Sequence, residues 1–266
     1  MNPKSTSARF ASNFRVSPLG GVESPSPIGF IALCALAFAG SVAATIHFCR
    51  TMGGGMRMPG GWTMSMMWMR MDGQTWFASA VSFLLMWLAM MVAMMMPSTL
   101  PTFLKTKRAA ASLSMMAVGY FAVWLAVGAG IYALDVLNAV AAMRWDSFSR
   151  IIPMLSGVAM IAAGIFQFTR WKLAGLLRCR SAFGCNCLCP ERAASFGLGC
   201  KQGVACCLCC ASPMLIMIVL GMMNPLVIIG VALVIAAEKI LPRPEIVARF
   251  VGVAFIVAGV FAAIRG

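Results

Sequence analysis

Residues 203–223 read GVACCLCCASPMLIMIVLGMM. An uncharged run of this length is enough to cross the hydrocarbon core of a bilayer, which takes about 20 apolar residues. Comparable runs occupy Ile28–Cys49, Trp76–Met96, Ser112–Leu134, Ile151–Trp171, Leu226–Leu241 and Ile246–Ile264. The run from Leu226 is short, and only Asn224-Pro225 separates it from the opening stretch. Ten-residue alternating segments of the kind a membrane barrel needs do not occur. The expected fold class is therefore all-α: a polytopic membrane helical bundle of about seven transmembrane helices, with six or eight as the alternatives.

Composition agrees. The chain has 266 residues, of which 21 are Lys or Arg and 7 are Asp or Glu, with a mean hydropathy of +0.91. That balance suits a chain dissolved mostly in lipid. The net charge of +14 does not gather into one patch, so nucleic acid is not an expected partner; the lipid bilayer is. Instead the basic residues alternate between loops. Fifteen lie before Ile28, at Lys105, Lys107 and Arg108, from Arg170 to Lys201 and from Lys239 to Arg249; the other six are Arg50, Arg57, Arg70, Arg144, Arg150 and Arg265. The positive-inside rule then puts the N-terminus in the cytoplasm and the C-terminus outside, in a multi-pass protein of the cell inner (plasma) membrane.

The organisation expected is a disordered, Ser/Pro-rich cytoplasmic lead over 1–27, a first transmembrane helix over 28–49, a Met/Gly-rich external loop over 50–75, a membrane core over 76–242 and a C-terminal transmembrane helix over 243–266. Ala37-Phe38-Ala39 has the small-residue look of a signal-peptidase site. The apolar run continues past it to Phe48, which reads as an uncleaved anchor.

The opening stretch also holds four thiols in five residues. A single cysteine is a good small core residue, but two adjacent pairs in one helical turn call for another reason. Cys206 and Cys210 are four apart and share a helix face, which Met214 and Met217 continue; Cys209 and Cys207 flank it. In the second span Met86, Met90 and Met94 repeat the same spacing, with Met91 and Met95 alongside. Methionines at helical spacing are ordinarily core packing. If the two faces meet, however, a column of thioethers leads to a cluster of thiols.

Sulfur is also divided between the loops. Met52, Met56, Met58, Met64, Met66, Met67, Met69 and Met71 fall in the external loop, and Cys179, Cys185, Cys187, Cys189 and Cys200 fall on the cytoplasmic side. Thioethers cannot form disulfides and survive as ligands in an oxidising compartment; thiolates need a reducing one. Both are soft donors that favour Cu(I). Methionine also serves as a flexible filler, but a solvated loop gains little from eight of them. Cys185, Cys187 and Cys189 lack the spacing of a zinc knuckle. The sole histidine, His47, stands near the outer end of the first span as an accessory candidate. Gln167, Asn224, Glu238 and Lys239 are polar at or near membrane depth. Asn224 reads as a cap or turn residue, and Glu238 and Lys239 read as snorkelling to the cytoplasmic interface.

Three separated motifs resemble the DUF2182 family: "MWLAMMVAMMMPSTLP" over 86–101, the set Gln167, Lys172, Cys179 and Arg180, and the stretch from "GVACCLCCASPMLIMIVLGMMN" at Gly203 to Glu238-Lys239. The resemblance spans roughly residues 80–242. It implies an integral membrane protein that binds metal, some members being labelled copper chaperones. The family pattern has C-x-x-C-C followed by an aromatic and preceded by a histidine. Here Cys206, Cys209 and Cys210 match, Cys207 is extra, Ala211 replaces the aromatic and Gln202 stands at the histidine position. An all-sulfur site is what this departure implies, with Cys179 joining the candidates from the second motif.

The candidate metal ligands are thus Cys206, Cys209, Cys210, Cys207, Met86, Met90, Met94, Met214, Met217 and Cys179. The expected cargo is copper as Cu(I), another soft metal being the alternative, in copper transport or delivery. A soluble metallochaperone or metalloprotein is the corresponding candidate partner. Two other readings stay open. A membrane thiol–disulfide relay uses the cysteines but leaves the loop methionines idle, and a structural or assembly subunit uses sulfur for packing alone. No enzyme is expected, because no carboxylate pair falls in a span for acid–base work.

Overall fold

The computed structural model describes residues 27–59, 61–65, 75–105, 110–181 and 192–265. These form helix α1 (Pro27–Met52), a ribbon of β1 (Gly55–Arg57) and β2 (Thr63–Ser65), and helices α2 (Trp76–Lys105), α3 (Ala110–Arg144), α4 (Asp146–Gln167), α5 (Arg170–Ser181), α6 (Arg192–Leu220), α7 (Pro225–Ile240) and α8 (Pro244–Arg265). Among the described residues six helices, α1, α2, α3, α4, α6 and α8, are long and apolar enough to cross a membrane. The chain is an all-α, multi-pass membrane protein.

Of the seven runs expected to span, α7 is the short one. Its 16 residues rise about 24 Å at 1.5 Å each, short of a hydrocarbon core of about 30 Å. Both ends are fixed by the sequence. Asn224 caps the start, its side chain accepting the Leu226 N–H at 3.0 Å, and Pro225 occupies the first turn, where its missing N–H costs nothing. Four residues after the end, Pro244 opens α8. Although short, α7 is embedded: Ile228, Val231, Ile235, Glu238 and Lys239 are all buried.

Two further differences concern the segments between spans. The fourth span ends at Gln167 rather than Trp171, and Arg170–Ser181, expected in a cytoplasmic loop, is helix α5 with Arg178 and Arg180 in its last turn. The loop between α1 and α2 contains the antiparallel β1–β2 ribbon, with Met56 opposite Met64; its turn uses Gly61 at φ +79°, a conformation that favours glycine.

Small residues let the helices approach. On α4, Gly157 and Gly164 face Gly259 and Gly252 of α8. A Cβ on Gly157 would stand 2.8 Å from the Gly259 carbonyl oxygen, and one on Gly164 2.7 Å from that of Gly252. Close backbone approach of this kind drives helix association where lipid is as apolar as the side chains. A Cβ on Gly203 of α6 would stand 3.0 Å from the Tyr120 carbonyl oxygen of α3. This closeness brings Tyr120 to the cysteines. Outward-facing positions stay apolar, as at Leu33, Leu36, Phe250 and Ile264.

Prolines inside α4 and α6 each free a carbonyl one turn back, since proline has no N–H to give it. In both helices a distant side chain takes over. The Ser149 carbonyl, four residues before Pro153, accepts from the Trp62 indole at 3.0 Å. The Cys209 carbonyl, four before Pro213, accepts from the Lys172 ammonium. The first contact pins the ribbon to α4; the second lies in the centre described next.

Candidate metal centre

The middle of α6 presents Cys206, Cys209 and Cys210 to the interior, all at 1% exposure or less. Positions i, i+3 and i+4 share a helix face, so one helix aims three thiols at one place. Cys206 and Cys210 have their Sγ atoms 3.9 Å apart, and Cys209 and Cys210 3.5 Å. A fourth thiol arrives from α5: the Sγ atoms of Cys179, Cys206 and Cys209 all lie within 4.8 Å of one another. Gly175, one turn before Cys179, faces Cys209 and lets α5 approach α6.

These separations suit a soft ion. Metal–thiolate bonds of about 2.3 Å put sulfur ligands about 3.8 Å apart in a tetrahedral site and about 4.0 Å apart in a trigonal one. The chain therefore holds the thiols near coordination distance before any ion arrives. Thioethers complete the surroundings. Met86, Met90, Met94, Met214 and Met217 are all buried in one cluster with the cysteines, as are Met91 and Met95. Met95 places its Sδ 3.9 Å from the Cys206 Sγ.

Polar groups meet the sulfur from two other helices. Tyr120 of α3 donates its hydroxyl to the Cys206 Sγ at 3.0 Å. Lys239 of α7 places its Nζ 3.1 Å from the same sulfur, 3.5 Å from the Met95 Sδ and 3.4 Å from the Ser98 Oγ. Snorkelling is thus corrected for both residues of the Glu238-Lys239 pair: Lys239 is 8% exposed and Glu238 1%. Glu238 accepts from the Lys172 ammonium at 2.7 Å and from the Gln167 amide at 3.0 Å. Lys172 and Lys239 therefore leave the loop-charge count, and thirteen of the fifteen basic residues on that side remain. Among the described residues Lys172–Glu238 is the one salt bridge. Lys239 faces sulfur and a hydroxyl in place of a carboxylate.

Other candidates stand apart. Cys207 is half-buried and is not one of the three mutually close thiols. Gln202, at the histidine position of the motif, is buried and donates to the Cys179 carbonyl at 3.0 Å. Its Oε1 has no hydrogen-bond partner. Cys200 is half-buried, its thiol 3.5 Å from the Gly119 carbonyl. His47 is exposed, with its ring edge-on to Phe48. Cys185, Cys187 and Cys189 lie outside the described residues, as do Met66, Met67, Met69 and Met71. In the ribbon, Met58 and Met64 are buried against Ala139 and Ala142, whereas Met56 is 45% exposed.

Fold and centre together define a class: multi-pass helical membrane proteins with a buried cluster of cysteine thiols able to hold a metal ion. A family model described as PpoB2, copper chaperone, matches residues 84–262. The match covers most of the chain, including every cysteine of the centre, and the chain belongs to that family. No curated protein and no solved structure matches it.

Proposed function

We propose that the protein binds Cu(I) through Cys206, Cys209, Cys210 and Cys179 and passes it on, in copper transport or delivery. The observation that carries the reading is the set of three buried thiols from two helices within 4.8 Å of one another, faced by the Lys239 amine. Charge is compatible with Cu(I). Cu(I) with two thiolates carries one negative charge, which the Lys239 ammonium offsets, so the complex is neutral where charge is expensive. Thiolates are also the ligands that select Cu(I) over hard cations. The motif resemblance to the DUF2182 family fits the same role, and a soluble metallochaperone or metalloprotein is the natural recipient on the cytoplasmic side. No catalytic step is assigned.

A thiol–disulfide relay has weaker support. Adjacent residues such as Cys209 and Cys210 have Cα atoms about 3.8 Å apart, below the usual disulfide range of about 4.4–6.8 Å. The sidedness expected from the positive-inside rule places the ribbon outside. Impermeant maleimide labelling of a Gly55→Cys variant in intact cells tests it, and labelling only after permeabilisation reverses the orientation. The function is tested by anaerobic titration of purified protein with Cu(I) against a competing chelator. Binding that does not change when Cys206 and Cys209 are both replaced by Ser would remove the reading.

A further inference from the structure

At the ribbon end of the bundle lies a cavity of about 960 Å³, walled by the ribbon, α3, α4 and the turn after α6. Three thioether residues line it, Met64 from β2 and Met222 and Met223 from the turn, together with Asp135 of α3. The Asp135 Oδ2 is buried and has no hydrogen-bond partner. A carboxylate oxygen without a donor inside a membrane bundle is costly unless something positive comes to it. Met222 has a second attachment: it belongs to the buried cluster that contains Met217, Met214, Cys210 and Cys206. Contacts in that cluster are continuous, so the cavity wall and the thiol centre belong to one buried apolar cluster.

We infer that this cavity is the loading vestibule for a soft monovalent cation, with Asp135 drawing the ion in and Met222 and Met223 as its first ligands. This rests on the metal reading proposed above and adds the site where the ion enters. From Leu220 to Cys206 is fourteen residues of α6, about 21 Å, and Met217 and Met214 stand along that path. The donors are ordered for one-way exchange. Thioethers are neutral and hold a soft ion weakly, whereas thiolates hold it tightly, so exchange among the thioethers is near level and the final exchange onto Cys210 and Cys206 runs downhill. The step is ligand substitution only: a metal–thioether bond breaks as the next metal–sulfur bond forms, and no electron or proton need move along the thioether part of the route.

The test uses the full-length protein in lipid nanodiscs and Ag(I), a soft monovalent ion that does not change oxidation state. Loading is followed by rapid mixing, and bound Ag(I) is counted at equilibrium. In Asp135→Asn, and separately in Met222→Leu combined with Met223→Leu, the loading rate should fall about tenfold or more, while equilibrium stoichiometry and affinity stay within about twofold of the unaltered protein. Asp135→Glu, which keeps the charge, should restore most of the rate. Unchanged loading in both the Asn variant and the methionine variant would overturn the vestibule. If Asp135→Asn does not fold, the methionine pair decides alone. No Ag(I) bound by the unaltered protein would overturn the metal reading itself, and the vestibule with it; normal binding with normal loading in the variants overturns the vestibule only.

Discussion

The ribbon between α1 and α2 and the centre shared by α2, α5, α6 and α7 both bury sulfur, but among different neighbours. Met58 and Met64 pack on Ala139 and Ala142, with Trp62, Phe148 and Ile152 around them. There the thioether acts as an adaptable apolar body, and leucine would do nearly as well. In the centre the neighbours are an ammonium 3.1 Å from the Cys206 Sγ, a phenol 3.0 Å from it and a buried Lys172–Glu238 pair. Packing alone would not assemble these groups, because burying a charge costs several kcal/mol even after relaxation. The company sulfur keeps therefore separates filling from ligation better than its abundance does.

The comparison breaks first at the cysteines. Replacing Cys206 and Cys209 together by Ser should abolish Cu(I) binding in anaerobic chelator competition, whereas Met58→Leu with Met64→Leu should leave it within about twofold. Equal losses in the two variants would erase the distinction between the regions. Next comes the ion pair beneath the thiols. Glu238→Gln leaves Lys172 buried without its counter-charge and should cost about 3–5 kcal/mol in detergent unfolding. Adding Lys172→Met to the same chain should recover most of it; no recovery would mean that Glu238 acts through some other contact.

Lys239→Met sharpens the charge argument. Removing the group that offsets a two-thiolate complex should weaken Cu(I) affinity by about 10–100-fold, the usual range for groups that support metal ligands, with the helix content by circular dichroism unchanged. The smallest effect belongs to the ribbon: Trp62→Phe removes the donor to the Ser149 carbonyl and should cost about 1 kcal/mol of stability. Copper affinity should not move, and a copper defect there would tie the ribbon to the centre more closely than its contacts do.

The sequence carried much of this, unevenly. The six long helices and α7 could all be read from apolar runs, and the short length of α7 is set by Asn224-Pro225 and Pro244. Cys206 and Cys210 were legible as one face, with Cys209 beside it, because helical spacing depends on the chain alone. Lys239 was not, since its distance from the interface depends on how far α7 reaches back along α6. Lys172 looked like a loop charge for the same reason: nothing local marks α5 as packed against Cys209. Tyr120 gave no signal, because its approach to Cys206 depends on the backbone contact at Gly203 between two helices far apart in sequence. The carbonyl freed by Pro213 can be found by counting four residues back, but the donor that satisfies it cannot.

Copper K-edge absorption on protein purified and loaded anaerobically, compared with the Cys206→Ser, Cys209→Ser double variant, tests the central claim most directly. The account predicts Cu(I) surrounded by sulfur alone at about 2.3 Å in the unaltered protein, and no retained copper in the double variant. Copper bound through nitrogen or oxygen, or held equally by both proteins, would contradict it.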